Sequence, residues 1–499
     1  MLNLITAEEM RKADAYTCEH SELSTIDLME QAANAFTEIF VNHISPQRHI
    51  TVIAGTGNNG GDGLAIARLL RMKGYHNIKV ICMNGFTTES EDFRINKERL
   101  VALKISFETV STPEQLPQNF DVVIDAVLGS GLNRDLSNFL KTSFEHINQN
   151  SNYTVSVDIP SGCSTDRFTF EDYCGIKADL TICFQRPKLL FTLPESTVAT
   201  KSFKFTSIGL DENYLLAIPT DYYWTDQQTV QGLLHKRKAF THKGTYGHAL
   251  IISGNAQTKG AALLTAKAAL FSGVGLVTLL TESAYFPYVN VYQPELMTAN
   301  KEDLKILDYS KYQSVAIGPG MGSNTEQRDQ LLFLLQQKRP MVLDADALNM
   351  LTTDLLKQYI LHPAVLTPHV KEFDRLFGAH TCWYNRIQTA RIQAKELQCV
   401  IVLKNQYTYI INEVGKVFIN STGNPAMAQG GMGDILTGCI SAFLARGYSA
   451  FNAAVIGCFV HGKAGDELAE RYEVTPASIL AEHLPLTLRS LLTDRIMTN

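Results

Sequence analysis

Two aspartates that stand next to glycine-rich segments are the residues of this sequence best suited to acid–base chemistry. Asp158 ends an apolar run and precedes Pro160-Ser161-Gly162, and Asp434 follows Gln429–Gly433 and opens an apolar stretch. A carboxylate beside a desolvated ligand has a raised pKa and exchanges protons near neutral pH. Backbone N–H groups at the start of a helix bind phosphate. The pattern predicts one phosphate-binding site with a catalytic carboxylate in each half of the chain, although such an aspartate also serves as a simple helix cap.

Two further loops belong with Asp158. Gly55–Gly63 holds five glycines after the apolar run Ile50–Ile53, and Asp125–Arg134 follows a second apolar run. Glycines let a backbone approach a ligand closely, and a dinucleotide pyrophosphate suits such a loop. The alternative is a turn that needs glycine only for tight packing between strand and helix. Because the carboxyl ends of parallel strands share one edge of a sheet, we expect all three loops to face one crevice.

Two series of short apolar runs, separated by helical patterns, position these loops. Such runs are typical of parallel sheets covered on both faces, and they predict an α/β fold in each half. A polar stretch at about 211–245 separates the series, so we place the domains at 1–221 and 222–499. The runs are Ile50–Ile53, Ile78–Ile81, Asp121–Ile124, Thr154–Val157 and Leu180–Ile182, then Ala249–Ile252, Val315–Ile317, Met341–Leu343, Ala364–Leu366 and Val400–Leu403.

Composition excludes several classes of protein. The 499 residues carry a net charge of -6, with 45% hydrophobic and 19% charged residues, and the basic residues are not clustered as in a nucleic-acid binder. No apolar run reaches the roughly 18 to 20 residues of a membrane helix, and the first residues lack a signal pattern. The nine cysteines show no metal-binding spacing, so we expect thiols in a reducing compartment. We therefore expect a cytoplasmic protein with no nucleic-acid or membrane partner.

The N-terminal half resembles the NAD(P)H-hydrate epimerase family over about residues 5–210, most specifically in Gly55–Gly63. The resemblance implies a Rossmann-like, three-layer αβα domain that binds hydrated dinucleotide. It implies that Asp158 contacts the substrate and that Asn59, Asp125 and Ser161 bind K⁺, an ion suited to hard oxygen ligands. The substrate-binding segments implied are Asn58, Asn59, Gly60, Gly61 and Asp62, and Gly129, Ser130, Gly131, Leu132, Asn133, Arg134 and Asp135.

The C-terminal half resembles the ribokinase-like superfamily, and within it the NAD(P)H-hydrate dehydratases, over about residues 225–490. The motifs are His242-Lys243-Gly244, Gly318–Gly322, Asp344–Asn349, Thr367-Pro368-His369 with Glu372, Lys404 with Thr408, and Gln429–Gly438. The resemblance implies that Ala261, Gly320, His369 and Asp434 contact the hydrated dinucleotide. It implies that the adenine nucleotide is bound by Lys404, Asn405, Gln406, Tyr407, Thr408 and Gly433.

Two positions depart from the pattern of that family. Val370-Lys371 stand where the family has Pro-Gly, and Asn405 stands where it has Gly. The first departure puts the turn that carries His369 in doubt. The second is tolerable because Asn is among the few residues that adopt the left-handed region.

Together the two resemblances predict a bifunctional repair enzyme for hydrated NADH and NADPH. The N-terminal domain would interconvert the R and S epimers, with Asp158 as the proton carrier. The C-terminal domain would dehydrate the S epimer with ADP and Mg²⁺, and Asp434 would take the proton of the hydroxyl. We also expect a homo-oligomer. One alternative is a ribokinase-like vitamin or sugar kinase, and another makes the N-terminal domain a non-catalytic dinucleotide-binding module.

Overall fold

The computed structural model describes residues 1–84, 88–131, 135–165, 168, 170–359 and 363–493. The chain forms two units, one of residues Asn3–Thr220 and one of Asp221–Asn499 together with Met1–Leu2. Parallel sheets with helices between the strands confirm the predicted α/β class. None of the helices among the described residues is long and apolar enough to cross a bilayer.

The N-terminal unit begins with two helices and then alternates strands and helices. The chain starts with the strand β1 (Leu2–Asn3), and the elements that follow are α1 (Ala7–His20), α2 (Thr25–Val41), β2 (Ile50–Ala54), α3 (Asn58–Met72), β3 (Ile78–Met83), α4 (Glu91–Ala102), β4 (Ser106–Val110), β5 (Val122–Ala126), α5 (Asn138–Asn150), β6 (Thr154–Val157), β7 (Leu180–Phe184), β8 (Phe203–Thr206) and α6 (Glu212–Ala217).

Seven parallel strands form its sheet in the order β4-β3-β2-β5-β6-β7-β8. Alternate strand residues enter different apolar clusters: Val52 packs with side chains of α2, α3 and α4, whereas Ile53 packs with side chains of α5. Helices therefore cover both faces, as the continuous apolar runs predicted. Chain order reverses between β2 and β5, which is where ligands bind in open sheets of this kind.

The C-terminal unit has the elements β9 (Tyr222–Thr225), α7 (Gln227–Leu233), β10 (His248–Ile252), α8 (Lys259–Phe271), β11 (Leu276–Thr281), α9 (Phe286–Tyr292), β12 (Met297–Asn300), β13 (Ser314–Ile317), α10 (Thr325–Leu335), β14 (Met341–Leu343), α11 (Ala345–Asn349), α12 (Thr353–Tyr359), β15 (Ala364–Leu366), α13 (Val370–Phe377), α14 (Trp383–Leu397), β16 (Val400–Leu403), β17 (Tyr409–Ile411), β18 (Val417–Asn420), α15 (Met432–Ala445), α16 (Ala450–Ala469) and α17 (Ala477–Thr493).

Within this unit the strand order is β9-β18-β17-β16-β15-β14-β13-β10-β11-β12, in which β16/β17 and β17/β18 pair antiparallel. Helices α8, α15, α16 and α17 contribute to the large apolar cluster on one face. Helix α15 crosses α8 closely at Gly438, where a Cβ would lie 2.2 Å from the Thr265 carbonyl oxygen. The small residues of α8 therefore serve close helix packing. The crossing holds the first turn of α15, which carries Asp434, against the ends of the central strands.

Candidate functional sites

A cavity of about 500 Å³ opens at the carboxyl ends of β2, β5 and β6 in the N-terminal unit. It brings together residues from all three predicted loops, as expected from the shared sheet edge. Among its lining residues are Asn58, Asn59, Asp62, Gly129, Ser130, Gly131 and Asp158, all named from sequence, and also Arg11, Asp14 and Lys188, which were not.

Helix α3 begins six residues earlier than the sequence suggested, so Asn58–Gly63 form its first turns instead of a loop. Glycine is needed here for packing: a Cβ at Gly60 would lie 2.0 Å from the Gly55 carbonyl oxygen, and one at Gly63 would lie 2.5 Å from the Ala126 Cβ. Gly57 precedes the helix without a side-chain cap. The packing interpretation is therefore correct for the later glycines. The first N–H groups of α3 remain suited to an anion because they have no partner within the helix.

Not every predicted substrate residue lines this cavity. Gly60 and Gly61 are buried behind it, with Gly61 packed against Met29. Asp135 is described but does not line the cavity. The predicted contacts at Leu132, Asn133 and Arg134 lie outside the described residues.

Asp125 and Ser161 form a buried network beside the cavity. Ser161 donates to Asp125 from its hydroxyl (2.5 Å) and from its backbone N–H (2.8 Å), and Ser156 donates a third hydrogen bond at 2.8 Å. The Ser161 hydroxyl oxygen also accepts from the Leu128 N–H at 2.8 Å, which ties the loop after β5 to the network. Burial raises the pKa of the Asp125 carboxyl. Hydrogen bonds thus hold this carboxylate in place without a cationic partner among the described residues.

The third residue expected at a K⁺ site, Asn59, lies next to the same loop. Its side chain would be 3.3 Å from a Cβ at Gly129, and its Nδ2 atom is buried without a hydrogen-bond partner. The Asp125 carboxyl, the Ser161 hydroxyl and Oδ1 of Asn59, which lies 3.4 Å from a Cβ at Gly129, are oxygen ligands of the kind that suits an alkali cation, whereas the unsatisfied Nδ2 of Asn59 is a hydrogen-bond donor and cannot bind one. Among the described residues, no group of three His, Cys, Asp or Glu side chains offers a transition-metal site. The residues present therefore fit the expected ion.

Asp158 is held by an ion pair and by an unusual backbone. Its φ angle is 60°, in the left-handed region. Its Oδ1 atom accepts from the Phe184 N–H at 3.0 Å and lies 3.1 Å from Nζ of Lys188. The side chains of Asp158 and Lys188 are 13% and 8% exposed, so the pair is nearly enclosed. Strained residues of this kind collect at functional sites, and the strain places the carboxylate at the cavity.

Two further carboxyls face the cavity with raised pKa values. Burial, and then the charge of Asp158, raise the pKa of Asp14 to about 6, while Lys188 opposes the shift. Burial raises the pKa of Asp62 well above its usual range, with Asp158 adding to the effect. Sequence pattern did not single out Asp14 or Lys188 because no glycine loop or motif surrounds either residue.

A second cavity, of about 260 Å³, lies in the C-terminal unit. Lys404, Asn405, Gln406, Thr408 and Gly433 line it, which joins five of the six residues predicted to bind the adenine nucleotide. The sixth, Tyr407, is outside the lining and packs against Trp224, with ring centroids 5.8 Å apart.

Two polar atoms in this cavity are buried without hydrogen-bond partners: Nδ2 of Asn405 and Nε2 of His461. Asn405 is not among the residues with positive φ, so the glycine usual at this position is not required by the backbone here. Burial lowers the pKa of His461 to about 4, and the imidazole is neutral at pH 7. Unsatisfied buried polar atoms are costly, and a ligand with polar groups would satisfy both. No motif in the sequence marks His461, which reaches the cavity from α16.

An ion pair at the edge of this cavity links three motifs. Nζ of Lys404 lies 2.8 Å from Oδ1 of Asp344, and the Thr437 hydroxyl donates to Oδ2 of Asp344 at 2.8 Å. A Cβ at Gly433 would be 3.7 Å from Nζ of Lys404. Asp434 stands in the first turn of α15, and burial followed by the charge of Asp344 raises its pKa to about 6. Asp434 is thus a carboxylate whose pKa suits proton transfer near neutral pH.

The remaining predicted contacts are positioned by other elements. Gly320 has a φ of +60°, and its Cβ would meet Ala261 at 3.1 Å, so these two predicted residues are neighbours. His369 caps α13: its Nδ1 accepts from the Glu372 N–H at 3.2 Å, and the Glu372 carboxylate accepts from the His369 N–H at 2.9 Å. The departure at Val370-Lys371 therefore leaves a regular capping box. No hydrogen bond or ion pair among the described residues joins His369 to Asp434.

Comparison with known proteins matches both units to families. Residues 25–190 match a family described as the YjeF-related protein N-terminus, and residues 249–486 match the NAD(P)H-hydrate dehydratase family. A protein from Coxiella burnetii named bifunctional NAD(P)H-hydrate repair enzyme Nnr is 34% identical over 482 residues, covering 94% of this chain and 96% of that protein. The protein of the same name from Escherichia coli is 31% identical over 469 residues, covering 93% and 90%.

Solved structures resemble part of this chain. A ribokinase-like superfamily protein from Enterococcus faecalis is 26% identical, with a TM-score of 0.50, and the match covers 55% of this chain and 98% of that chain. An ADP/ATP-dependent NAD(P)H-hydrate dehydratase from Bacillus subtilis, co-crystallised with ATP and Mg²⁺, is 31% identical, with a TM-score of 0.49, and covers 54% and 98%.

Proposed function

Because this chain belongs to the family of bifunctional NAD(P)H-hydrate repair enzymes, we propose that it restores hydrated NADH and NADPH to their reduced forms. Domain 1–221 interconverts the R and S epimers at C6 of the hydrated nicotinamide ring. Domain 222–499 dehydrates the S epimer with consumption of ADP. The observation that carries the proposal is a cavity in each unit beside the start of a helix. Asp14, whose pKa is raised to about 6, lines the first cavity, and Gly433 lines the second, next to Asp434, whose pKa is also raised to about 6.

In the N-terminal cavity, the start of α3 and the loop after β5 hold the substrate. The free N–H groups of Asn58 and Asn59 face the pyrophosphate, and the backbone of Gly129–Gly131 forms the opposing part of the lining. Asp158 contacts the hydrated ring and exchanges a proton with it. Asp158 is paired with Lys188 and serves as the proton acceptor.

Bound K⁺ would be held by Asn59, Asp125 and Ser161. In that position the ion would supply positive charge to Asp125, whose buried carboxyl has three hydrogen bonds from Ser156 and Ser161 to offset its desolvation. Asp125 and Ser161 in turn fix the loop that begins at Val127. These residues therefore position the phosphate-binding backbone and take no part in proton transfer.

In the C-terminal cavity, the nucleotide lies against Lys404, Asn405, Gln406, Thr408 and Gly433, where Asn405 and His461 offer unsatisfied polar atoms. Bound Mg²⁺, carried by the nucleotide phosphates, offsets negative charge on the transferring group. Asp434 takes the proton of the C6 hydroxyl as its oxygen bonds to the terminal phosphorus and AMP leaves. Phosphate then departs with the C–O bonding electrons, and the ring loses a proton from C5 to restore the double bond. Ala261, Gly320 and His369 contact the hydrated dinucleotide.

Nucleotide-dependent recovery of the reduced nicotinamide tests this function. We expect the purified protein to regenerate NADH or NADPH absorbance from the hydrates only when ADP or ATP and Mg²⁺ are present, with AMP as the product from ADP. With ADP as the donor, we expect one AMP and one free phosphate for each nicotinamide ring restored. A stable phosphorylated product without recovery of absorbance would instead support the small-molecule kinase. We keep ADP as the expected donor and a homo-oligomer as the expected assembly.

A further inference from the structure

Epimerisation of the hydrated ring needs two proton carriers, and Asp158 is only one of them. Asp14, on α1, lines the same cavity of about 500 Å³ and a neighbouring cavity of about 350 Å³. We infer that Asp14 is the second proton carrier of the N-terminal site and works as a couple with Asp158. This inference rests on the proposed epimerase function and adds a catalytic residue to it.

The hydrogen bonding of the two carboxyls differs in a way that suits complementary roles. Oδ1 of Asp14 is buried and has no hydrogen-bond partner. Oδ1 of Asp158 accepts from Phe184 and is paired with Lys188. An ionised carboxylate without partners is costly to bury, whereas a neutral carboxyl costs much less. Asp14 is therefore the member of the couple that readily carries a proton.

Charges around Asp14 act in the same direction. Burial and then the charge of Asp158 disfavour its ionised form, Lys188 opposes this effect, and the pKa of Asp14 is raised to about 6. The other titratable side chains lining the two cavities are Arg11, Cys18, Asp62 and Asp92. Burial raises the pKa of Asp62 well above its usual range, which disfavours negative charge at that carboxyl. The couple of Asp14 and Asp158 thus favours the state in which the two carboxyls share a single proton.

That shared proton accounts for opening and closing of the ring. Asp158 removes the proton of the C6 hydroxyl, the C6=O double bond forms, and the C6–N1 bond breaks. The electrons of that bond move to N1, which takes the proton of Asp14. Rotation about the C5–C6 bond exposes the other face of the aldehyde, and closure of the ring returns each proton to its donor. The couple ends the cycle in the protonation state in which it began, and no other reactant is consumed.

A catalytic and a structural role for Asp14 predict opposite effects of its replacement on thermal stability. Because the pKa of Asp14 is raised by folding, its ionisation destabilises the folded protein as pH rises from the unfolded value to above about 6. Asn has the same shape and no charge, so Asp14→Asn removes this penalty at pH 7. A residue kept for stability would instead lower the unfolding temperature when replaced.

The test is the full-length Asp14→Asn variant, assayed for interconversion of a single purified epimer by chromatography. We expect kcat for epimerisation to fall roughly a hundredfold or more, with an unfolding temperature equal to or above that of the wild type. Nucleotide-dependent dehydration of the S epimer stays unchanged. Asp14→Glu restores part of the epimerase activity. The matched control is Glu8→Gln on the same helix, where Glu8 is exposed and paired with Lys12, and this variant keeps the wild-type rate.

The pH profile adds a second readout. The wild-type rate of epimerisation should decline as pH rises through about 6, because Asp14 then loses the proton that N1 must receive. The inference is overturned if Asp14→Asn epimerises at the wild-type rate, or if it loses activity together with thermal stability. A wild-type protein that does not epimerise at all would instead reject the proposed function, so the two failures are distinguishable.

Discussion

Asp434→Asn is expected to lower nucleotide-dependent dehydration by roughly a hundredfold or more and to leave epimerisation at the wild-type rate. Asp434 stands in the first turn of α15 with a pKa of about 6, so it is largely ionised at pH 7 and able to accept the proton of the substrate hydroxyl. Asn keeps the shape of the side chain and loses the basic oxygen. The measurement is recovery of reduced-nicotinamide absorbance from the purified S epimer with saturating ADP.

The pH dependence of the dehydration rate shows whether Asp434→Asn has lost a catalytic base or has a damaged fold. In the wild type, dehydration should weaken as pH falls below about 6, because protonated Asp434 no longer accepts the hydroxyl proton. The residual activity of the variant should not follow that titration. Asp303→Asn, at an exposed position, is the matched control and keeps the wild-type rate. Dehydration by Asp434→Asn at a near-wild-type rate would reject Asp434 as the base.

Asp158→Asn is expected to reduce epimerisation to the spontaneous rate while dehydration of the S epimer continues. Asn tolerates the left-handed backbone that Asp158 adopts, with φ of 60°, so the turn after β6 survives the substitution. The carboxylate that accepts the ring proton is gone. The measurement is the interconversion rate of one starting epimer, followed by chromatography.

This substitution also lowers stability because it leaves Lys188 without its ionic partner. Lys188 is 8% exposed, and breaking such an enclosed pair costs about 3 to 5 kcal/mol. Glu108→Gln, which breaks an exposed pair with Lys79, should cost no more than about 1 kcal/mol. Kinetics are therefore compared well below the unfolding temperature of the variant. Unchanged interconversion would mean that Asp158 serves only to hold Lys188 and the turn.

Most central strands of both units could be predicted because a buried parallel strand has a continuous apolar sequence. Each predicted run lies within or overlaps an observed strand, from Ile50–Ala54 to Val400–Leu403. Edge and antiparallel strands were not predicted, and neither was β11, which pairs in parallel with β10 and β12. Tyr222–Thr225 lay in a stretch regarded as a polar boundary, yet it pairs with Val417–Asn420, far along the chain. Such a pairing depends on tertiary contacts that local pattern does not encode.

Sequence reasoning located the loops of both sites but not the residues that reach them from other elements. Asp14 comes from α1, Lys188 from the chain after β7 and His461 from the middle of α16, and no glycine motif marks any of them. These residues can be recognised only in the structure, by their burial, by an unsatisfied polar atom or by a buried partner of opposite charge. The start of α3 was misplaced because glycine usually breaks helices, whereas here Gly60 and Gly63 let the helix approach the sheet.

The division of labour between the two units is tested most directly by mixing two full-length variants. An equal mixture of R and S hydrates is treated with ADP, Mg²⁺ and Asp158→Asn alone, and we expect a fast phase limited to the S epimer and then a slow tail set by spontaneous interconversion. Asp434→Asn alone should restore almost no reduced nicotinamide. The two variants together should restore the whole pool in one phase, because each supplies the activity that the other lacks. Removal of both epimers at one rate by Asp158→Asn alone, or a slow tail that persists in the mixture, would contradict the account.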